Sequence, residues 1–81
     1  MEMKAREIAE QLQDSGYEQW AGRVRESVDT ASTGTELIMG VLRNLLEFKK
    51  AHPELSPEVL AKIDSLILAI NKELSRGFLR A

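Results

Sequence analysis

The single histidine is the residue in this chain most suited to acid–base or metal chemistry. His52 is the only imidazole, and it stands directly before Pro53 and after Lys49 and Lys50. An imidazole can act as a general base or as a metal ligand. No second strong ligand accompanies it. Its position is more typical of a helix C-terminus, where histidine faces the negative end of the helix dipole. We therefore expect His52 to mark the end of a helix.

Three carboxylates, Glu7, Glu10 and Asp14, share one face of the first helical pattern. Paired acids can transfer protons or hold cations. Helical two-metal sites, however, combine glutamates with Glu-x-x-His motifs, and this sequence has none. The carboxylates predict a solvated face, or an acidic surface that meets a basic partner. Nothing resembles a phosphate loop, a nucleophile elbow or a zinc signature. The sequence predicts no enzyme activity and no cofactor or metal site.

A basic stripe follows one side of the last helical pattern. Its members lie within about 80° of one another on a helix, and they are Lys62, Lys72, Arg76 and Arg80. Such a stripe can bind phosphates or an acidic protein. It is more typical of a solvated face near a helix C-terminus. No aromatic residue is interleaved with it, which argues against a single-stranded nucleic acid as the partner.

Four apolar residues are candidates for contact with a partner or with a second copy. Tyr17 and Trp20 lie on the apolar face of the second helical pattern, where they can fill the core or anchor a partner. The main apolar stripe of the last helix is expected to face the core and consists of Leu60, Ile63, Ile67, Ile70 and Leu74. Leu68 and Leu79 lie off this stripe, on the same side as Ala61. Either the first two helices cover these leucines, or they form the seam of a dimer.

Composition narrows the classes of function. The formal net charge of −2 argues against a general nucleic-acid binder, which is expected to be basic. The absence of cysteine excludes disulfides and thiolate metal sites. No apolar run approaches the roughly 18 residues of a membrane span. We expect one cytoplasmic domain over residues 1–81. Oligomerisation is the remaining way to stabilise so small a core, so a homodimer is expected.

The hydrophobic spacing predicts an all-α fold. The expected helices are 2–15, 17–29, 34–51 and 57–76. Gly16 is expected to end the first helix at a sharp corner, and a single bent helix over 3–29 is the alternative. The fourth helix is expected to end or fray at Arg76-Gly77, and Phe78-Leu79 are expected to fold back or reach a partner.

Two further start signals fix the last two helices. Thr33 and Glu36 have the spacing of a capping box, in which each side chain accepts the amide of the other residue. Ser56 is placed as an N-cap before Pro57. The two helices that follow these signals are joined by a short loop, so they should form an antiparallel hairpin. The first two helices are expected to pack as a shorter pair across the third.

The third helix is apolar around more than half of its circumference. One stripe is expected to face the fourth helix and consists of Ile38, Val41, Leu45 and Phe48. A second stripe is expected to face the first two helices or a second subunit and consists of Met39, Leu42 and Leu46. A narrow polar arc around Gly40 is left for solvent. A glycine at position 40 has two explanations: the helix tolerates it there, or another backbone approaches closely at this point.

The corner between the first two helices also resembles the opening of a helix-turn-helix. The second helix would then present Gln19 and Arg23 to base edges. It would also present Glu18, and Gln13 occupies the turn-entry position where that motif favours glycine. A small DNA-binding regulator that uses the first two helices is therefore the alternative function.

One run of residues carries a resemblance to a known kind of protein: Leu12-x3-Gly16-x3-Trp20-Ala21-x2-Val24. It resembles segments of small helical bacterial proteins of the toxin-immunity kind, over residues 5–28. This resemblance implies a non-enzymatic protein that blocks a partner by surface complementarity. Together with the composition, it leads us to expect a protein-interaction module, immunity- or antitoxin-like, with another protein as its partner.

Overall fold

The structure is a computed structural model that describes the backbone of residues 2–80 and the side chains of residues 2–76. The described backbone forms four helices and no strand. They are α1 (Glu2–Asp14), α2 (Glu18–Thr30), α3 (Gly34–Ala51) and α4 (Pro57–Arg80). The all-α prediction is confirmed. The bounds of the first three helices agree with the predicted ones to within one residue.

The predicted end of the fourth helix at Arg76-Gly77 is wrong, because α4 continues to Arg80. An interior glycine costs a helix about 1 kcal/mol relative to alanine. That cost is small enough for a helix already 20 residues long at Gly77 to continue through it. The predicted partner contact of Leu79 and the place of Arg80 in the basic stripe concern side chains outside the described ones.

A tight corner separates α1 from α2. Gly16 has a φ of +92°, in the left-handed region. The Tyr17 amide donates to the Leu12 carbonyl at 2.8 Å, and the Gly16 amide donates to the Gln13 carbonyl at 3.1 Å. These two bonds form the Schellman pattern that closes a helix C-terminus. The predicted corner is confirmed, and the alternative of a single bent helix is wrong.

Side-chain caps begin the last two helices. Thr33 Oγ1 accepts the Glu36 amide at 3.1 Å, as predicted. The reciprocal bond differs from a standard capping box, because the Glu36 carboxylate accepts the amide of Ser32 at 2.9 Å. At the start of α4, Ser56 Oγ accepts the Val59 amide at 3.4 Å. These bonds satisfy amides that a helix N-terminus leaves without a backbone partner.

The four helices form a ring in which each packs against the preceding and the following one. The closest backbone approaches are between α1 and α2 and between α2 and α3, while α4 packs more loosely against α3 and α1. Short connections make successive helices antiparallel. Helix α1 packs mainly on α2 and α4. The expectation that both N-terminal helices lie across α3 is therefore wrong for α1, and α2 alone packs closely there.

Both helices of the hairpin contribute to the core, but α4 is rotated from its predicted orientation. Val41, Leu45 and Phe48 are fully buried and Ile38 is half-buried, so the first stripe of α3 lies in the core. Phe48 contacts Tyr17 and Trp20, so this stripe faces α2 as well as α4. On α4 the buried residues are Val59, Ile63, Leu66 and Ile70. The other residues of the predicted α4 stripe are half-buried, and they are Leu60, Ile67 and Leu74. The rotation arises because α4 packs against α1 as well as α3.

The second stripe of α3 is not covered by the first two helices. Met39 is 56% exposed and Leu46 is 50% exposed, so the expectation that α1 and α2 would bury this stripe is wrong. Helix α2 packs on the other flank of α3, where Asn44 Nδ2 donates to Ser27 Oγ at 2.6 Å. The second subunit, the other covering expected for this stripe, stays a prediction.

Gly40 allows that close approach of α2 to α3. A Cβ added to Gly40 would lie 3.2 Å from the Cβ of Ser27, which is tighter than ordinary packing. Gly40 is half-buried, so the expectation that its arc faces only solvent is wrong at this position. Of the two explanations for Gly40, the structure favours the close approach, with α2 of the same chain as the approaching helix.

We predict opposite effects for one substitution at two helical glycines. Gly40→Gln should lower the free energy of unfolding by about 1–3 kcal/mol, because the added side chain must separate α2 from α3. Gly22→Gln is the matched control, since an added Cβ there meets no atom within 4 Å. It should raise the free energy by about 0.5–1 kcal/mol through helix propensity. Urea denaturation measures both. Equal effects would contradict the close packing at Gly40.

Candidate functional site

The largest apolar side chains left exposed lie mostly on the hairpin of α3 and α4. Among residues 2–76, the exposed large hydrophobic residues are Met3, Met39, Leu46 and Leu68. Met3 lies on α1, and the other three lie on the hairpin. Leu68 is 59% exposed. The expectation that helix one or two covers Leu68 is therefore wrong, while its place in a dimer seam stays a prediction.

An ion pair fixes which residues of the hairpin lie side by side. Lys49 Nζ lies 2.5 Å from Asp64 Oδ1. The two helices are antiparallel, so stepping back along α3 corresponds to stepping forward along α4. Leu46 comes three residues before Lys49, and Leu68 comes four residues after Asp64. Each step is about one helical turn, so Leu46 and Leu68 lie at the same level.

The positions of Met39, Leu42, Leu46 and Leu68 on their helices place all four on the outer side of the hairpin, and we call this set of residues the hairpin face. Met39 and Leu46 point in directions about 20° apart on α3, and Leu42 lies between them and α4. Leu42 is half-buried. Helices α1 and α2 pack on the other side of the hairpin. Within the described part of the chain, no helix covers this face.

A row of charged residues borders the hairpin face along α3. Glu36, Arg43 and Lys50 are spaced seven residues apart and are all exposed. They lie within about 40° of one another on the helix and next to Met39 and Leu46. The acidic residue is near the N-terminus of α3 and Lys50 is near its C-terminus, the order that the helix dipole favours. The apolar surface is thus edged by charges whose sign changes along the helix.

Tyr17 and Trp20 are half-buried in an aromatic cluster at one end of the core. The Tyr17 ring lies 5.0 Å from that of Phe48 and 4.8 Å from that of His52. The Trp20 ring lies 5.4 Å from that of Phe48. Most of these contacts are edge-to-face or tilted, geometries that aromatic pairs prefer. The structure thus brings both predicted aromatic candidates together against α3.

His52 joins that cluster through both of its ring nitrogens. Trp20 Nε1 donates to His52 Nε2 at 3.2 Å, and His52 Nδ1 lies 2.8 Å from Glu54 Oε1. Because Nε2 accepts, the proton of the neutral ring belongs on Nδ1, which then donates to Glu54. The His52 amide also donates to the Phe48 carbonyl at 2.9 Å, so His52 ends α3 as predicted. Sequence reasoning missed the Trp20–His52 bond, which joins residues 32 positions apart.

The bond from His52 also affects the neighbouring carboxylate. Hydrogen bonds from the His52 ring and from the Glu54 backbone lower the pKa of Glu54 below its ordinary value. A carboxylate that accepts hydrogen bonds is stabilised in its charged form. The Glu54 side chain is 61% exposed, so this remains a surface interaction. It holds the loop between α3 and α4 against the imidazole.

The described residues of the basic stripe differ in what their side chains contact. Lys62 Nζ donates to Gln11 Oε1 at 3.0 Å, across the boundary between α4 and α1. Arg76 lies 3.5 Å from Glu73 on its own helix. Lys72 is exposed. Lys62 also lines an open groove of about 450 Å³ between α1 and α4, together with Glu7. The structure therefore turns Lys62 toward α1.

The residues that the DNA-binding hypothesis would place against base edges lie on the outer side of α2. Gln19 and Arg23 are both exposed. The Arg23 guanidinium carbon lies 4.6 Å from the centre of the Trp20 ring, a cation–π distance. Glu18, on the same helix, is exposed as well. DNA binding stays a prediction.

Comparison of this chain with protein-family models, with curated proteins and with solved structures finds no match. The resemblance to proteins of the toxin-immunity kind therefore stays a prediction. Within the described residues, no helix is both long and apolar enough to cross a membrane. Among those same residues, no group of three or more histidine, aspartate and glutamate side chains is placed to hold a metal ion.

We predict measurable coupling between Trp20 and His52. Trp20→Phe and His52→Phe keep an aromatic ring at each position but remove the hydrogen bond. A double-mutant cycle by urea denaturation should give a coupling free energy of about 0.5–1.5 kcal/mol. The pair Trp20 and Glu47 is the control, with Glu47→Gln on the exposed side of α3. Coupling for Trp20 and His52 no larger than for the control would contradict the bond.

The lowered pKa of Glu54 predicts a pH dependence of stability. Its folded-state pKa is lower than its unfolded-state pKa. The carboxylate therefore stabilises the folded chain above the unfolded-state value, and this contribution is lost as pH falls through the folded-state value. Glu54→Ala should lower the melting temperature at pH 7 and have a smaller effect near about pH 3, where carboxylates are protonated. Glu10→Ala is the control. An equal effect of Glu54→Ala at both pH values would contradict the prediction.

Proposed function

We propose that this chain is a non-enzymatic protein-interaction module that binds another protein through the hairpin face. The observation that carries the proposal is the exposure of Met39, Leu46 and Leu68 on one surface that the described helices leave uncovered. Exposed apolar patches of a few hundred Å² on small proteins commonly mark binding surfaces. Methionine is also enriched in protein interfaces.

The hairpin face is backed by a packed core. Val41 and Leu45 on α3 and Ile63 on α4 are fully buried on the opposite side of the same helices. The Lys49–Asp64 pair further joins the two helices. A surface held by core packing needs little ordering when a partner binds, so less of the interaction free energy is lost. The face is therefore suited to binding by surface complementarity.

The proposal includes an immunity- or antitoxin-like role in the cytoplasm. Binding by complementarity is what the resemblance over residues 5–28 implies, and a preformed face supports that mode of binding. The proposal places the main contact on Leu68 and its neighbours on α3. Tyr17 and Trp20 are half-buried against Phe48 and His52, so they present less surface to a partner.

Site-specific photo-cross-linking tests this proposal. A photoreactive amino acid placed at Leu46 should form a covalent adduct with a protein partner in the native cell. The adduct should be lost when Leu68→Glu is added, because a charge at the centre of an apolar interface is costly to bury. The same photoreactive residue at Glu10, exposed on α1, is the control. Absence of an adduct at Leu46, or equal adducts at Leu46 and Glu10, would overturn the proposal.

A further inference from the structure

We infer that the partner of the hairpin face is a second copy of this chain, related by a twofold axis that makes the two α3 helices antiparallel. This inference rests on the proposed function, since it names the occupant of the proposed surface. The axis passes between the two α3 helices, level with Arg43. The two α4 helices then also lie antiparallel to each other, beside the α3 pair.

The apolar residues of the hairpin face are complementary to themselves under this symmetry. In an antiparallel pair centred near position 43, residue numbers in contact sum to about 85 or 86. Met39 therefore meets Leu46 of the second copy, and Leu46 meets Met39 of the second copy. Such an isologous contact uses the same patch on both copies, as most homodimers do. Met39 and Leu46 of each copy are then each covered by an exposed apolar side chain of the other copy.

The charged edge of the face selects the antiparallel arrangement. The same axis places Glu36 beside Lys50 of the second copy, and symmetry repeats the pair. A parallel arrangement would instead place Glu36 beside Glu36 and Lys50 beside Lys50. The two Arg43 side chains approach each other near the axis, and Glu47, one turn along the same helix, is within reach of each. Opposed charges at an interface fix orientation more than they add affinity.

The size of the face determines how tight such a dimer is. Helix α3 has 18 residues, which gives a length of about 27 Å. Two packed helices are about 20 Å wide, so the footprint is roughly 500 Å² per copy before surface relief is counted. A stable standard interface needs about 800 Å² per partner. The hairpin face is smaller than that and falls in the size class of weak, transient interfaces. We therefore expect a dissociation constant on the order of tens of micromolar.

Analytical ultracentrifugation of the full chain tests the dimer directly. Between about 1 µM and about 500 µM the mass should rise from that of one chain to that of two. Leu46→Glu should weaken dimerisation by at least about 100-fold, because each interface would bury two carboxylates among apolar side chains. Met3→Glu is the matched control, since Met3 is 76% exposed on α1, and it should leave the dimer unchanged. Helical circular dichroism confirms that both variants are folded.

A charge-swap experiment tests the antiparallel pairing. Glu36→Lys and Lys50→Glu should each weaken the homodimer about fivefold, because each places like charges opposite one another. Mixing the two variants should produce heterodimers in preference to both homodimers, since both contacts between positions 36 and 50 are attractive in the mixed dimer and the Arg43 contact is the same in all three dimers. The mixed comparison is insensitive to any loss of the Glu36 cap, which affects the monomer alone. Glu10→Lys mixed with Lys4→Glu, on α1, controls for net charge.

A single-chain mass at every concentration overturns the inference, and so does a heterodimer preference no greater than that of the α1 control pair. The cross-linking experiment separates this failure from failure of the proposed function. An adduct at Leu46 whose mass is not twice that of the chain, lost with Leu68→Glu, leaves the interaction function standing but makes the partner a different protein. No adduct at Leu46 removes both.

Discussion

The close approach of α2 to α3 at Gly40 determines how the rest of this small domain is arranged. Without a side chain at Gly40, Ser27 packs against the backbone of α3, and Asn44 donates a hydrogen bond to its hydroxyl. Helix α2 is thereby held on one flank of α3. Helix α3 has a second apolar flank, which α2 cannot reach from this position. The exposure of Met39 and Leu46 is a consequence of where α2 packs.

Helix α4 completes this arrangement by packing between two neighbours. It contacts α3 on one side and α1 on the other, so its buried line runs through Ile63, Leu66 and Ile70. Leu68 then falls on the outer side, level with Leu46. The ion pair of Lys49 with Asp64 and the bond of Lys62 to Gln11 hold α4 to its two neighbours. Exposed ion pairs contribute little to stability, so the apolar contacts of α4 set its orientation.

The sequence predicts the helices of this protein better than their packing. The turn at Gly16 and the caps at Thr33 and Ser56 are signals carried by residues that are close together in the sequence. They predict the ends of the helices beside them to within about one residue. Gly77 is a local signal for a helix end, but such a signal does not show whether a long helix can continue through a glycine. The predicted end there is therefore wrong. Which flank of α3 is covered by α2 depends on the contact between Gly40 and Ser27. These two residues lie on different helices, so the sequence alone does not reveal their contact.

The sequence predicts only part of the candidate site, because the pattern within one helix does not show which helices pack together. Leu68 was identifiable because it departs from the apolar period of its helix, and that departure is visible in the sequence. The sequence predicts that Met39 and Leu46 face the first two helices or a second subunit, since periodicity shows that a side is apolar but not what covers it. The Trp20–His52 bond had no sequence signal, because an aromatic residue on α2 and a histidine at the end of α3 meet only after folding.

The wide apolar surface of α3 has a consequence for the whole chain. A helix that is apolar on both flanks needs neighbours on both, and four helices arranged in a ring provide α3 with α2 on one flank and the edge of α4 on the other. Covering the remaining exposed half of a methionine or leucine contributes about 1 kcal/mol each. Several such side chains on one face would supply the driving force for the proposed association. A polar residue at Met39 or Leu46 would cost this fold little, so the apolar side chains at both positions favour a binding role for this face.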